Sequence, residues 1–460
     1  MPYLAYQQEN GYLFPPYLDE LIAVDHVARV VNEVVNLLDI RELTSQMKVE
    51  GRPAYHPRMM LKILFYAYSQ KVRSSREIAR RCCEDVVFMW LAGMQRPDFR
   101  TISDFRKDNI EVLRRLFKQV VQICQRLGMV SLGLVAIDGT KVKAQASDYG
   151  ARTHDALKEA LKAVEEDIEK YMAESAAIDE AEDILYGKAK TGQELPKKVR
   201  KALERKEALV AAIKQIEAIK EADRTGNKEP KVNPQERDAQ FMKHCGGRIQ
   251  LSYNCQAAVD EKKGVIVAEG VTTEANDKRQ MLPMLRAVEE TTERKPDKAA
   301  MDPGYHSKKN LEEAEKMGID CYVGSRRGEV EEGVRGKAVE VEVHSFASTE
   351  SGQSAMDTAS TLVAVRQESN NANAVERMSA KLQSEEGKKV YGKRKEIVEP
   401  VFGQVKSNLG FVRFLLRGLK KVSGEWALIC LVHNIRRIYA YLKAEGEGGL
   451  TQRLEMVYAS

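Results

Sequence analysis

A single change of hydrophobic period, at Ser131, divides this chain. Before it, apolar residues recur at helical spacing. Leu21, Ile22, Val27, Val30, Val31, Val34, Val35 and Leu38 form one stripe. Leu61, Ile63, Leu64 and Tyr66 form another behind Pro57, a residue suited to the first turn of a helix. After it, a short apolar run at 132–137 ends in Asp138-Gly139, the pattern of a buried strand with an acid at its end. Residues 1–130 are therefore expected to be helical, and the rest to build on a sheet.

The helical part contains several short helices. Ser74 or Ser75 can cap one, Gly93 can end the next, and Thr101 to Asp104 fits a capping pattern after the break at Pro97. Short capped helices with Arg76, Arg80 and Arg106 among their polar residues suit a helix-turn-helix array that grips DNA, or an ordinary all-α domain.

Residues 151–245 interrupt the sheet part. Leu157, Leu161, Val164, Ile168 and Met172 give one helical stripe, and Val199, Leu203, Leu209, Val210, Ile213 and Ile216 another, with Gly192 and Pro196 between. The first helix is acidic and the second starts basic, so a helical hairpin paired by charge is expected as an insertion. Strand patterns resume at Arg248 with a hairpin around 260–264. Helix, strand, helix and strand follow, including a short strand ending in Asp302. Residues 326–380 are polar and mostly aperiodic and are read as an irregular or partly disordered excursion, with helical pattern returning from about Glu376. With the insertion set aside, 131–150 and 246–460 form one mixed α/β domain.

The 460 residues exceed one ordinary domain, and 43% hydrophobic against 31% charged residues exclude a disordered chain. No apolar run is long enough to span a membrane, and the N-terminus lacks a secretory pattern. Seven scattered cysteines without a CxxC pair fit a reduced, cytoplasmic protein and not a zinc site. Net charge is only +5, yet residues 388–421 alone carry ten Lys/Arg against two Glu. Residues 71–115 add eleven Lys/Arg against seven acids. Two basic zones point to a polyanion, most simply nucleic acid, and Phe402, Phe411 and Phe414 interleave with the larger one.

Asp138 and Asp302 end strands, and Glu399 lies near a final helix, where Pro400 places it at a helix start or kink. Carboxylates projecting from strand ends can gather two divalent cations for phosphoryl transfer, and hard oxygen ligands suit Mg²⁺ or Mn²⁺. Other acids compete: Asp260 in the hairpin and Asp277 as a helix cap have structural explanations, and Glu396 lies three residues from Glu399. His306 is read as a surface residue, His433-Asn434 as a helix-packing pair, and His244 with Cys245 as lacking metal partners.

The stretch YGKRKEIVEPVFGQVK, with Tyr391, Arg394, Glu399 and Lys406, resembles the Y-R-E-K signature of bacterial insertion-sequence transposases. Six residues separate Glu399 from Lys406, as in that signature; four separate Arg394 from Glu399, one more than in its commonest form. AIDGTKVKA, AMDPGYHSKKNLEEA and FLLRGLKKVSGEWALICLVHN resemble further blocks of the insertion-sequence 1182 group. The resemblance implies a ribonuclease-H-like DDE domain with Asp138, Asp302 and Glu399 as catalytic, metal-binding acids for two Mg²⁺ or Mn²⁺ ions. Arg394 and Lys406 would contact phosphate, Tyr391 would position a strand or base, and Arg413 and Arg417 would add DNA contacts. It implies a transposase that acts on double-stranded DNA ends and joins them to a target as a dimer or larger assembly. A nuclease of the same fold, or a DNA-binding protein with a decayed site, are the alternatives.

Overall fold

The computed structural model describes residues 17–45, 54–186, 197–222, 229–244, 246–325 and 373–445. A 3-10 turn and seven helices come first: α1 (Val27–Leu37), α2 (Arg41–Ser45), α3 (Pro57–Ser69), α4 (Ser75–Glu84), α5 (Val86–Leu91), α6 (Phe99–Asp108) and α7 (Ile110–Arg126). Local chemistry sets their starts. His26 and His56 accept backbone N–H groups ahead of α1 and α3, with Pro57 in the first turn of the latter. Asp85 caps α5. Helix α6 starts earlier than the expected Thr101–Asp104 pattern: Asp98 accepts from Arg100 N and Thr101 N, and Thr101 Oγ1 donates to it as well. A carboxylate just after Pro97 reaches more orphan N–H groups than a hydroxyl one turn inside the helix.

The sheet has six strands: β1 (Leu134–Lys143), β2 (Gln240–Lys243), β3 (Ile249–Asp260), β4 (Ile266–Thr272), β5 (Lys298–Met301) and β6 (Asp320–Val323). Their order is β2-β3-β1-β5-β6, with β4 also paired to β3. Strands β1, β5 and β6 run parallel, whereas β3 is antiparallel to β1, β2 and β4. The molecule thus combines a helical N-terminal region with a mixed α/β sheet. Two boundaries differ from the sequence reading. Strand β1 runs through Asp138 to Lys143, because β3 supplies a pairing partner as far as Ser252. Strand β2 falls inside the stretch assigned to the helical insertion, since four residues paired at a sheet margin carry too little apolar pattern to be read alone.

Helices α8 (His154–Tyr186) and α9 (Lys197–Ala222) form the hairpin, closed by Leu157, Val164, Ile168, Leu209, Ile213 and Ile216. Helices α10 (Met281–Thr292) and α11 (Lys308–Met317) connect β4, β5 and β6. Most of the expected excursion, 326–372, lies outside the described residues. Its end does not: α12 (Ala374–Gln383) starts with Asn373 and Glu376 in a reciprocal capping box. Helix α13 (Glu385–Gly403) follows and passes straight through Pro400, so Glu399 is neither at a start nor at a break. Buried Val398, Val401 and Phe402 hold that turn in place, and a π turn at Gln404–Asn408 follows.

The last helix, α14 (Leu419–Ala444), is buried along most of its length and packs on α7, α1, α3 and β4. Trp426 Nε1 donates to the Gln256 carbonyl, 2.9 Å. Asn434 accepts from Ile266 N (2.9 Å) and donates to Ile266 O (2.8 Å), taking the place of a strand partner for β4. His433 meets the Gly264 carbonyl at 3.0 Å, so the pair does serve packing. One apolar cluster runs from Ala28 in α1 through the strands to Leu442 in α14. Among the described residues no helix is long and apolar enough to cross a membrane.

Candidate active site

Two parallel strands bring two acids together. The register of β1 on β5 ends at Ile137 opposite Met301, and the next residues are Asp138 and Asp302. Strand alternation puts Asp138 on the side of Leu134, the side covered by Val390, Tyr391 and Ile397 of α13. From that helix Arg394 Nη1 reaches Asp138 Oδ2 at 3.1 Å. Arg394 is 8% exposed, its Nε has no partner among the described residues, and its guanidinium lies 5.9 Å from the Tyr391 ring centroid. The Tyr391 hydroxyl lies against Gly324. Burial raises the Asp138 carboxyl to about 6, with the Asp302 charge as the next cause. Burial raises Asp302 too, opposed by the Gly304 N–H that it accepts at 2.9 Å.

A third acid belongs to this group. Asp277 is no helix cap, since α10 starts at Met281. It accepts from Asn254 Nδ2 (2.6 Å) and Gln256 Nε2 (2.7 Å) and lies 3.6 Å from Lys141 Nζ. Its charge contributes to the raised values of both Asp138 and Asp302. The Tyr305 hydroxyl donates to Gln256 Oε1 and completes the network. Close approach requires Gly139 here: a Cβ would stand 2.5 Å from Gln256 Nε2 and 2.7 Å from Asp277 Oδ1. The signal in the sequence was Asn254 and Gln256, two polar residues one alternation apart in β3, which the fold buries along most of its length. Buried amides need partners, and Asp277 is the partner.

Glu399 stands elsewhere. It is exposed on α13. Five residues of α-helix rotate it by about 140° from Arg394, where four would leave it about 40° away. The additional residue noted in the sequence puts buried Val398 in that nearer position. Lys406 is half-buried within the π turn. It lies near His244, whose ring is held below its ordinary value by burial and then by Lys406, Lys143 and Lys141. His244 itself bonds Ser252 Oγ at 2.6 Å.

Several expected DNA contacts are engaged within the protein. Arg106 is buried, donating to Tyr68 Oη and the Arg73 carbonyl at 3.0 Å each, so it presents no charge to a phosphate. Arg413 donates to the Ala144 and Gln145 carbonyls and braces the end of β1. Arg80 is exposed between Glu77 and Glu84. Arg76 is exposed over Phe99 at 5.1 Å, and Arg417 donates to Gln235 Oε1 at 3.0 Å. The interleaved aromatics are core and not a stacking surface: Phe411 and Phe414 are fully buried, 5.1 Å apart edge-on, and Phe402 is nearly so. The sequence showed their spacing but not which way they point.

The donor set around β1 and β5 is carboxylate oxygen, the chemistry that suits Mg²⁺ or Mn²⁺. Among the described residues no three acidic, histidine or cysteine side chains converge closely enough to hold an ion, and Asp138 is paired with Arg394.

Against this geometry, comparison with protein families gives two matches. Residues 16–108 match the family described as Transposase domain (DUF772), covering α1 to α6. Residues 353–439 match the family described as Transposase DDE domain, which covers Tyr391, Arg394, Glu399 and Lys406. Asp138, Asp277 and Asp302 lie outside both matched stretches. No curated protein and no solved structure matches the chain.

Proposed function

We propose that the chain is a DNA transposase of ribonuclease-H-like fold whose chemistry is carried by Asp138 and Asp302. The observation that carries this reading is the meeting of these two acids, from adjacent parallel strands, under the helix that matches a transposase DDE domain. The match to a second transposase domain in the helical region supports it.

Asp138 and Asp302, with Glu399 as the third acid of the resemblance, would hold the divalent cations, which when bound polarise a phosphodiester and acidify water. Arg394 and Lys406 would bond DNA phosphate oxygens, charge-assisted, and Tyr391 would set the strand beside them. Asp277, held by Asn254 and Gln256, keeps the floor of the site rigid and anionic. Hydrolysis forms one P–O bond to water and breaks one to a 3′ oxygen. The freed 3′-hydroxyl then attacks a target phosphodiester, again exchanging one P–O bond for another. Neither step needs a covalent intermediate on the protein. Joining two element ends requires at least two copies of the chain.

A second reading, DNA binding without cleavage, is favoured by the exposed position of Glu399. Incubation with DNA flanking the gene, plus Mn²⁺ or Mg²⁺, separates the two. Cuts at inverted-repeat ends that disappear in Asp302→Ala, and in Asp138→Ala, are expected, with DNA binding retained. Tight, specific binding without cuts in the unmodified protein would favour the second reading.

A further inference from the structure

The charges of the helical hairpin divide unevenly. Lys206 of α9 pairs with Glu165 of α8 at 2.8 Å, and Lys198 lies over the Tyr171 ring at 5.6 Å, so these cations close the hairpin. Lys201 and Arg205, one helical turn apart on α9, do not join them. They line a cleft of about 790 Å³ between the hairpin and the sheet domain, together with Arg152 and Arg417. Glu204 is the one acid among the residues lining it. Among the described residues Arg152, Lys201 and Arg205 have no ion-pair partner, and Arg417 is bonded only to the neutral Gln235. All four are exposed. Cations from three separate chain segments therefore face one open space, with Glu204 among them and Glu236 within reach of the Arg417 charge.

The cleft lies along the continuation of β1. Strand β1 extends five residues past Asp138 to Lys143, about 17 Å at about 3.3 Å per residue. Arg413 then ties its end down, and residues 147–152 follow at the cleft. Lys141 and Lys143 stand on β1 along the way, paired with Asp277 at 3.6 Å and Asp148 at 3.2 Å.

We infer that the α8–α9 hairpin is a duplex clamp, whose Arg152, Lys201, Arg205 and Arg417 bind the phosphate backbone of double-stranded DNA away from the reacting bond. This rests on the transposase reading above. Base pairs rise about 3.4 Å each, so the grip falls roughly five or more base pairs from the carboxylates. Phosphate contacts of this kind set register and affinity without reading sequence.

The test is the salt dependence of binding to a duplex carrying the element end, for the full chain and for the triple variant Arg152→Ala, Lys201→Ala, Arg205→Ala. A control variant removes Lys158, Lys162 and Lys170 from the outer part of α8, equal in charge. Each lost phosphate contact lowers the slope of log K against log salt by about 0.9. The triple variant should bind at least about tenfold more weakly near 0.1 M salt, with a slope smaller by about two to three. Its helix content and melting temperature should match the unmodified protein, and the α8 control should leave the slope unchanged. Phosphate ethylation should interfere with binding roughly five or more base pairs inside the cut, and this interference should vanish in the triple variant. An unchanged slope in the triple variant, or an equal loss in the control, overturns the clamp while leaving the transposase reading intact. No DNA binding by the unmodified protein overturns both.

Discussion

At the scale of single residues, the acids divide by what surrounds them. Asp138, Asp302 and Asp277 share a partly buried, mutually repelling group; Glu399 is in water. Substituting each separately tests that division. Asp277→Ala should lower cleavage, because an acid beside the other two is lost and Asn254 and Gln256 lose the partner that fixes them. If Glu399→Ala abolishes cleavage and Asp277→Ala does not, the third acid is Glu399 and α13 must rotate to deliver it. His433 supplies a separate reading of pH. Burial lowers it to about 4 from an ordinary 6.5. The unfolded chain therefore takes up its proton first as pH falls. Stability from the neutral ring is complete above pH 6.5 and is lost progressively down to about 4, by an amount on the order of 3 kcal/mol. His433→Gln keeps a donor for the Gly264 carbonyl but cannot titrate. The difference between its stability–pH curve and that of the unmodified protein should slope over that window and be flat above it. Of the site, the strand ends at Asp138 and Asp302 were legible from the apolar runs that precede them, while Arg394 stood out only through the motif it shares with transposases. Asp277 was not legible, since it lies in the turn after β4 and its partners Asn254 and Gln256 come from β3, remote along the chain.

At the scale of elements, the crossing of α14 over α7 decides how the helical region meets the sheet. It depends on Gly424: a Cβ there would stand 2.4 Å from Ile110 Cγ2 and 2.8 Å from its Cδ1. Gly424→Ala forces the two helices apart along a fully buried contact and should destabilise the protein by about 1–3 kcal/mol, read from chemical denaturation. A loss below a few tenths would mean that Ile110 can turn aside. Buried Glu425, one residue on, accepts from Leu415 N and Leu416 N and so holds the turn before α14. The element pattern itself was readable, as helical and strand periods are local. Exceptions were β2, too short to show a period, and the path of α13 through Pro400, which neighbouring apolar contacts maintain.

At the scale of the whole molecule, the helical region and the sheet are not separable bodies. Residues of α1, α3, α7 and α14 belong to the same apolar cluster as β1, β3 and β4. Arg106 of α6 also faces the Tyr68 hydroxyl and lies close to the buried charge of Glu425. A fragment starting at residue 131 would expose the α14 face that α1, α3 and α7 cover. It should fail to fold, giving no cooperative melting transition where the full chain unfolds helices and sheet together. A fragment that melts cooperatively would show that the sheet domain stands alone.

Periodicity, capping residues and the two basic zones are properties of neighbours along the chain. They determined by themselves that this protein is a helical region followed by a mixed α/β sheet with a helical hairpin; Asp138, Asp302 and Arg394 were singled out by the resemblance of their surrounding motifs. Which charges remain free is a property of neighbours in space, and only the tertiary structure decided it. It buried Arg106, used Arg413 on backbone carbonyls and turned Phe411 and Phe414 into core. It joined Asp277 to the two aspartates and left Glu399 in solvent. The physical reason is that a charge or ring has the same signature in sequence whether it faces water or a partner. The difference arises from long-range packing, which one-dimensional spacing does not encode.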